Sequence, residues 1–252
     1  MKFKLRAIFL TLLITLGSYG TSMGQIQILT FVDSTVGTNS LSGAFTLLSP
    51  AYQNTNASSA SEFETLLNTG NFDIGILFAQ NFGANDYLSA VTALHGFVGS
   101  GGSALYVDWS RNDSLAGPFG ATFTGNINQN QFSAPALGFP NPVNLTNPGW
   151  GTYSTGLVPS AGSTTLATFA NGEAAIVAGN DGRSLVLGML SDTFSDPNEG
   201  AQLLASAIEY SFNFTPIPEP GTIAAGSMFA LLAGFTAWRR FRSRRNVSVV
   251  EA

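Results

Sequence analysis

The sequence predicts an α/β domain of three layers, with helices on both faces of a mainly parallel sheet, and three observations carry that prediction. Short apolar runs rich in β-branched residues alternate with stretches of helical period, and the connections between them are short, as βα units require. The runs Phe72 to Ala79 and Ala104 to Val107 lack the polar alternation of a strand wetted on one side, so both of their faces are expected to be covered. With 252 residues, the chain has room for one such domain or at most two small ones.

Gln25 to Val32 is β-branched and apolar and closes on Asp33, which suits a buried strand. Leu41, Ala44, Phe45 and Leu48 recur at i, i+3, i+4 and i+7, the stripe of a helix with Ser40 as its N-cap. Ser61-Glu62-Phe63-Glu64 has the capping-box form, and Phe63, Leu66 and Leu67 supply the apolar face of a second helix. Between the two helices, Ala51 to Asn54 carries a weak strand signal. After the Phe72 to Ala79 strand, Leu88, Val91, Leu94 and Val98 mark a third helix, which Gly99-Ser100-Gly101-Gly102 ends.

Residues 110–163 break the pattern, being dense in Gly, Asn, Pro, Ser and Phe with no sustained period. A structureless loop of that length is unusual inside a compact domain, so this irregular, β-rich insertion is expected to form short strands and turns as a flap over one end of the sheet. Thr165 to Ala170, Ala174 to Ala178 and Ser184 to Leu190 resume the strand pattern, and Asn180-Asp181-Gly182 supplies the turn of an antiparallel hairpin. Asp196-Pro197-Asn198-Glu199 opens a last helix with cap, N1 proline and N3 acid, and Leu204, Ala207, Ile208 and Ser211 form its inner stripe.

The formal net charge of −5 conceals a segregation. Lys2, Lys4 and Arg6 stand at one end and Arg239, Arg240, Arg242, Arg244 and Arg245 near the other, leaving Arg111 and Arg183 between them. Residues 25–218 hold thirteen acids against those two arginines, a charge of −11. Phosphate neutralisation needs a basic footprint that this body lacks, so nucleic acid is excluded as a partner. The absence of cysteine rules out disulfides, thiolate zinc sites and Cys nucleophiles.

Both ends read as addresses. In residues 1–24 a basic start precedes the apolar run Ala7 to Leu16 and then small residues, the order of a secretory signal peptide cleaved before Gln25. The other end runs Ile217-Pro218-Glu219-Pro220-Gly221, then the uncharged span 222–238, then Arg239-Arg240-Phe241-Arg242-Ser243-Arg244-Arg245. Seventeen uncharged residues are near the short limit of a transmembrane helix, and the arginines would keep their end cytoplasmic. Pro218 and Pro220 hold the preceding backbone out of helix and remove two amide donors, leaving an extended segment.

This tripartite tail, residues 215–245, resembles the PEP-CTERM sorting signal of exosortase substrates. The resemblance implies passage through Sec-type export machinery, transient anchoring in the inner membrane, cleavage near Pro218-Glu219-Pro220, and a final place at the cell surface or in an exopolysaccharide matrix. The body, residues 25–214, is similar to the class I glutamine amidotransferase-like superfamily in its non-catalytic, ThuA-like forms. The likeness rests on the Phe72 to Trp109 layout, the Gly182 to Gly188 strand and the helix Ala201 to Ile208, and it implies a flavodoxin-like order of strands. Where catalytic members carry Cys or His after the equivalent of the Ala104 to Val107 strand, this chain has Asp108-Trp109-Ser110, so amidotransferase chemistry does not transfer.

The remaining candidate chemistry is sparse. Asp33, Asp108 and Asp192 each follow an expected strand; converging, they would suit Ca²⁺ or acid/base work on a sugar, and apart they are turn formers and helix caps. His95, the single histidine, falls on or beside a helix's inner face, pointing away from Ser110 and so outside any Ser-His pairing. Gly99-Ser100-Gly101-Gly102 follows a helix instead of leading into one, which makes it a C-cap and turn and leaves no cofactor implied. Phe119, Phe123, Phe132, Phe139, Trp150 and Tyr153 are either a platform for glycans or the packing face of the insertion. The expectation is therefore an exported, enzymatically degenerate surface protein; an extracellular hydrolase using the strand-end carboxylates is the alternative.

Overall fold

The computed structural model of the chain describes residues 25–213. The expected signal peptide (residues 1–24), Pro218-Glu219-Pro220, the span 222–238 and the arginine cluster lie outside the described residues. The strands are β1 (Ile26–Val32), β2 (Tyr52–Asn56), β3 (Ile74–Ala79), β4 (Ser103–Asp108), β5 (Ala121–Asn126), β6 (Gln131–Ala134), β7 (Phe139–Asn144), β8 (Thr155–Pro159), β9 (Thr164–Phe169), β10 (Ala174–Gly179) and β11 (Ser184–Leu187). The α-helices are α1 (Ser40–Leu48), α2 (Ala60–Thr69), α3 (Leu88–Gly99), α4 (Asp113–Ala116) and α5 (Pro197–Asn213). Among these residues no helix is long and apolar enough to cross a membrane.

The sheet runs β2-β1-β3-β4-β11-β10-β9-β6-β7. From β2 to β11 every pairing is parallel, and from β11 outward every pairing is antiparallel. The result is a mixed α/β domain whose parallel half carries the helices. Side chains of one strand alternate between two cores. Ile76, Phe78, Leu105 and Val107 pack with Leu41, Ala44, Leu204 and Ile208 of α1 and α5. Leu77 and Tyr106 pack with Phe63, Leu67, Val91 and Leu94 of α2 and α3 on the other face. All six positions of β3 and all six of β4 are buried, as the unbroken apolar runs require.

Several boundaries shift, each for a local reason. The N-cap of α1 is Asn39, whose side chain accepts from the Leu41 amide, so Ser40 becomes the first helical residue. The capping box of α2 sits two residues earlier than Ser61: Ser59 Oγ accepts from the Glu62 amide, and Glu62 reaches back to the Ser58 amide. Leu88 opens α3 after a 3₁₀ turn (Ala84–Tyr87) and is exposed, leaving Ala90, Val91, Leu94 and Val98 as the buried stripe. The weak signal at Ala51 is a full edge strand, β2, paired parallel with β1.

The insertion is largely a continuation of the sheet. β6 and β7 extend it beyond β9, and the β5–β8 ribbon joins β10 through Leu157 opposite Ala174. The physical reason is that β9 would otherwise end the sheet in unpaired amides and carbonyls. The segment after β7 folds back toward the ends of the parallel strands, where Thr146 N donates to Thr193 O at 2.7 Å. At the β10–β11 hairpin, Asn180, Asp181 and Gly182 have φ of 51°, 57° and 86°, left-handed values that Asn, Asp and Gly tolerate best.

Candidate functional site

In the order β2-β1-β3-β4-β11 the connections diverge between β1 and β3, and open α/β sheets bind ligands outside the carboxyl ends of strands at such a point. The three aspartates that follow strands all lie at this edge, each anchoring backbone. Asp33, just beyond β1, accepts from the amides of Gln80 at 2.8 Å and of Asn81 and Phe82 at 3.0 Å. Asp108 ends β4 with 2% of its surface exposed, accepting from Ala84 N (2.9 Å), Ser110 N (2.7 Å), Ser110 Oγ (2.6 Å) and Asn112 N (2.9 Å). Asp192, beyond β11, accepts from Val36 N (2.6 Å), Gly37 N (2.9 Å) and Trp150 Nε1 (3.0 Å).

Asp33 and Asp108 hold successive parts of the loop after β3, whereas Asp192 holds the loop before α1 together with the insertion. Three of these donors, Ala84 N, Ser110 N and Ser110 Oγ, converge on Oδ1 of Asp108, and Asn112 N alone reaches Oδ2. Gly37 is required by close approach, since a Cβ there would stand 2.6 Å from Asp192 O. Among the described residues no three His, Cys, Asp or Glu side chains come together as a cation site.

A fourth residue, overlooked in the sequence, ties the anchors together. Gln80, fully buried, donates from Nε2 to Ser34 O at 2.8 Å and accepts from Ser191 N at 2.6 Å. It thereby joins the loops after β1, β3 and β11. The legible signal was an amide side chain directly after the apolar run of β3, where a buried polar group must find partners.

His95 is exposed, with its ring edge-on to Phe119 at 6.0 Å, while Ser110 gives its hydroxyl to Asp108. The two share no hydrogen bond. Gly99 to Gly102 are a helix end: Ser100 N donates to Gly96 O and Gly102 N to Phe97 O, both at 3.0 Å. Of the six aromatic candidates, Phe119, Phe132 and Trp150 are buried, and Trp150 lies 5.6 Å from Trp109. They are packing residues of the insertion, with Phe123, Phe139 and Tyr153 half-buried beside them. The Tyr106 hydroxyl is buried without a hydrogen-bond partner, and burial, then the charge of Asp108, pushes its pKa far above the usual value.

Beside these groups, Val107, Trp109, Arg111, Tyr153 and Met189 help to line a cavity of about 20 Å³. That is room for one water molecule, whereas small-molecule sites occupy roughly 300–1,000 Å³. A groove of about 1060 Å³ lies between α2 and α3, lined by Glu64, Asn68, Thr92 and Gly96 and by none of the three aspartates.

Fold and site together define a class: a mixed α/β body, similar in fold to glutamine amidotransferases, whose strand-end carboxylates anchor backbone. Two solved structures are similar over most of their length. One is a putative GMP synthase subunit from Thermoplasma acidophilum, with TM-score 0.51 and 11% identity, over 74% of this chain and 94% of that one. The other is a glutamine amidotransferase from Thermotoga maritima, with TM-score 0.51 and 9% identity, over 75% and 99%. At such identity the likeness concerns the fold alone. No protein-family model and no curated protein matches the chain.

Proposed function

We propose that the chain is an exported cell-surface or exopolysaccharide-matrix protein, with a non-catalytic body and a tail that an exosortase reads and cuts. The observation that carries this reading is the tail: Pro218-Glu219-Pro220, the uncharged span 222–238 and five arginines between 239 and 245, in that order. At 1.5 Å per residue a helix over the span would reach about 26 Å, enough to cross a hydrocarbon core with slight thinning. The arginines would hold its far end in the cytoplasm while the body passes outward through Sec-type export machinery. Sorting then proceeds from an inner-membrane-anchored precursor to the released or surface-attached body.

The body supports the non-catalytic half of the reading. Asp108 stands where the fold places catalytic chemistry, and there it accepts from four donors of the surrounding loops, three of them on one oxygen. With thirteen acids and two arginines in residues 25–213, contact with an anionic matrix polymer would run through neutral groups or bridging divalent cations. No contact of Asp33, Asp108 or Asp192 favours the hydrolase reading. The test is to replace Pro218, Glu219 and Pro220 by alanine in the full chain, in a host that encodes an exosortase. Accumulation of uncut chain in the membrane fraction is expected; processing and distribution identical to wild type would contradict the proposal.

A further inference from the structure

The two edges of the sheet are built differently. β7, at one edge, reads Phe139-Pro140-Asn141-Pro142-Val143-Asn144, and its two prolines remove amide donors at alternate positions. Prolines so placed blunt an edge against pairing with another chain. β2, at the other edge, reads Tyr52-Gln53-Asn54-Thr55-Asn56, with neither proline nor charge.

The pairing of β2 with β1 also shows which of its groups have no partner in the ladder of the described residues. Ala51 O accepts from Ile26 N at 3.0 Å and Ala57 N donates to Thr30 O at 2.8 Å, so the odd-numbered positions face β1. By the regular alternation of a parallel ladder, the amides and carbonyls of Tyr52, Asn54 and Asn56 point off the sheet.

The surroundings of β2 are equally unusual. Residues 34–61, which include α1 and β2, contain no charged side chain, although residues 25–213 carry −11. Val36 and Leu47, two of the exposed large apolar residues, fall in this stretch, 53% and 56% exposed. A hollow of about 610 Å³ between α1 and β2 is lined by Phe45, Thr46, Tyr52, Gln53 and Asn54, without charge.

We propose that the β2 edge is a self-association surface, where a second copy of this chain pairs antiparallel about a two-fold axis near Asn54. Charge selects the occupant. Two bodies of −11 repel wherever their carboxylates approach, and this wall lets them meet without burying a charge. A two-fold axis places each patch on its own image, and a neutral amide-rich strand is self-complementary there. The flanking carboxylates are Glu209 beside Tyr52 and Glu62 on Ser58. They lie at opposite ends of the strand and on helices of opposite faces, so the axis brings neither onto itself. The pairing also sets α1 beside its image, covering Leu47 with apolar surface. This inference does not depend on the tail or on the proposed sorting.

The cysteine-free sequence makes the test direct. In the full chain, Asn54→Cys faces its own image across the axis at about 5.5 Å between Cα atoms, within disulfide reach. The expected result under mild oxidation is a disulfide-linked dimer for Asn54→Cys and none for Asn141→Cys on the exposed β7 edge. Adding Asn56→Pro, which removes an outward amide and leaves the bonds to β1 in place, should abolish the dimer. Absence of a dimer at position 54, equal dimer at both edges, or a dimer that survives Asn56→Pro would each overturn the proposal.

Discussion

The parallel and antiparallel halves of the sheet satisfy their backbones by different means. Between β10 and β11 the chain turns in the plane of the sheet, so the amides flanking the turn find partners in the ladder itself. Where it leaves a parallel strand, at the carboxyl ends of β1, β3, β4 and β11, the chain runs through loops whose amides lie outside the ladder. Those amides need acceptors, and Asp33, Asp108, Asp192 and Gln80 supply them. At these strand ends the carboxylates and Gln80 hold loops, and in the antiparallel half the ladder does that work.

The comparison is broken most severely at Asp108. Asp108→Ala leaves the Ala84, Ser110 and Asn112 amides without their acceptor at a buried position and should destabilise the full chain by about 3–5 kcal/mol in urea unfolding. Loss below 1 kcal/mol would mean that the loops hold themselves.

A smaller effect is expected where the antiparallel half reaches across. Trp150→Phe keeps a large ring against Trp109 and removes the Nε1–H that Asp192 accepts. Its cost should be about 1–2 kcal/mol by the same measurement. Because Asp192 keeps the Val36 and Gly37 amides, Asp192→Ala should cost more than Trp150→Phe. The reverse order would place the main anchor in the tryptophan packing.

The smallest effect sharpens the contrast at an exposed helix start. The hydroxyl of Ser58, and then its amide, hold the Glu62 carboxyl below its ordinary pKa. A folded-state value below the unfolded one gives stability that is present above the unfolded pKa and lost as pH falls through the folded value. The melting temperature of Glu62→Gln should therefore lie slightly below wild type at neutral pH, and the gap should close in acid. No gap at any pH would assign the cap to Ser59 alone.

Legibility follows the same division. Periodicity located the helices and strands of the parallel half because burial on two faces writes unbroken apolar runs, and burial on one face writes a helical stripe. The β10–β11 hairpin was legible through Asn180-Asp181-Gly182, since few residues accept left-handed backbone. The course of β5 to β8 was not, because pairing with β9 and β10 is a long-range choice that leaves no period in residues 110–163. At the carboxyl edge the sequence located the three aspartates and left open whether they converge. Their role depends on which amides come within 3 Å, and that is set by loops far apart in the chain, such as Gly37 and Asp192. The amide after the β3 run was the one sign of Gln80, and it did not single the residue out, because one polar residue after a strand is commonplace.

The central claim is that the working protein is the acidic body alone, freed of both basic ends. Intact-mass measurement of the mature protein from its native host tests it most directly. The account predicts a chain that begins at Gln25 and ends near Pro218-Glu219-Pro220, allowing for any group attached at the cut. A mature protein that still contains residues 222–252 would contradict it.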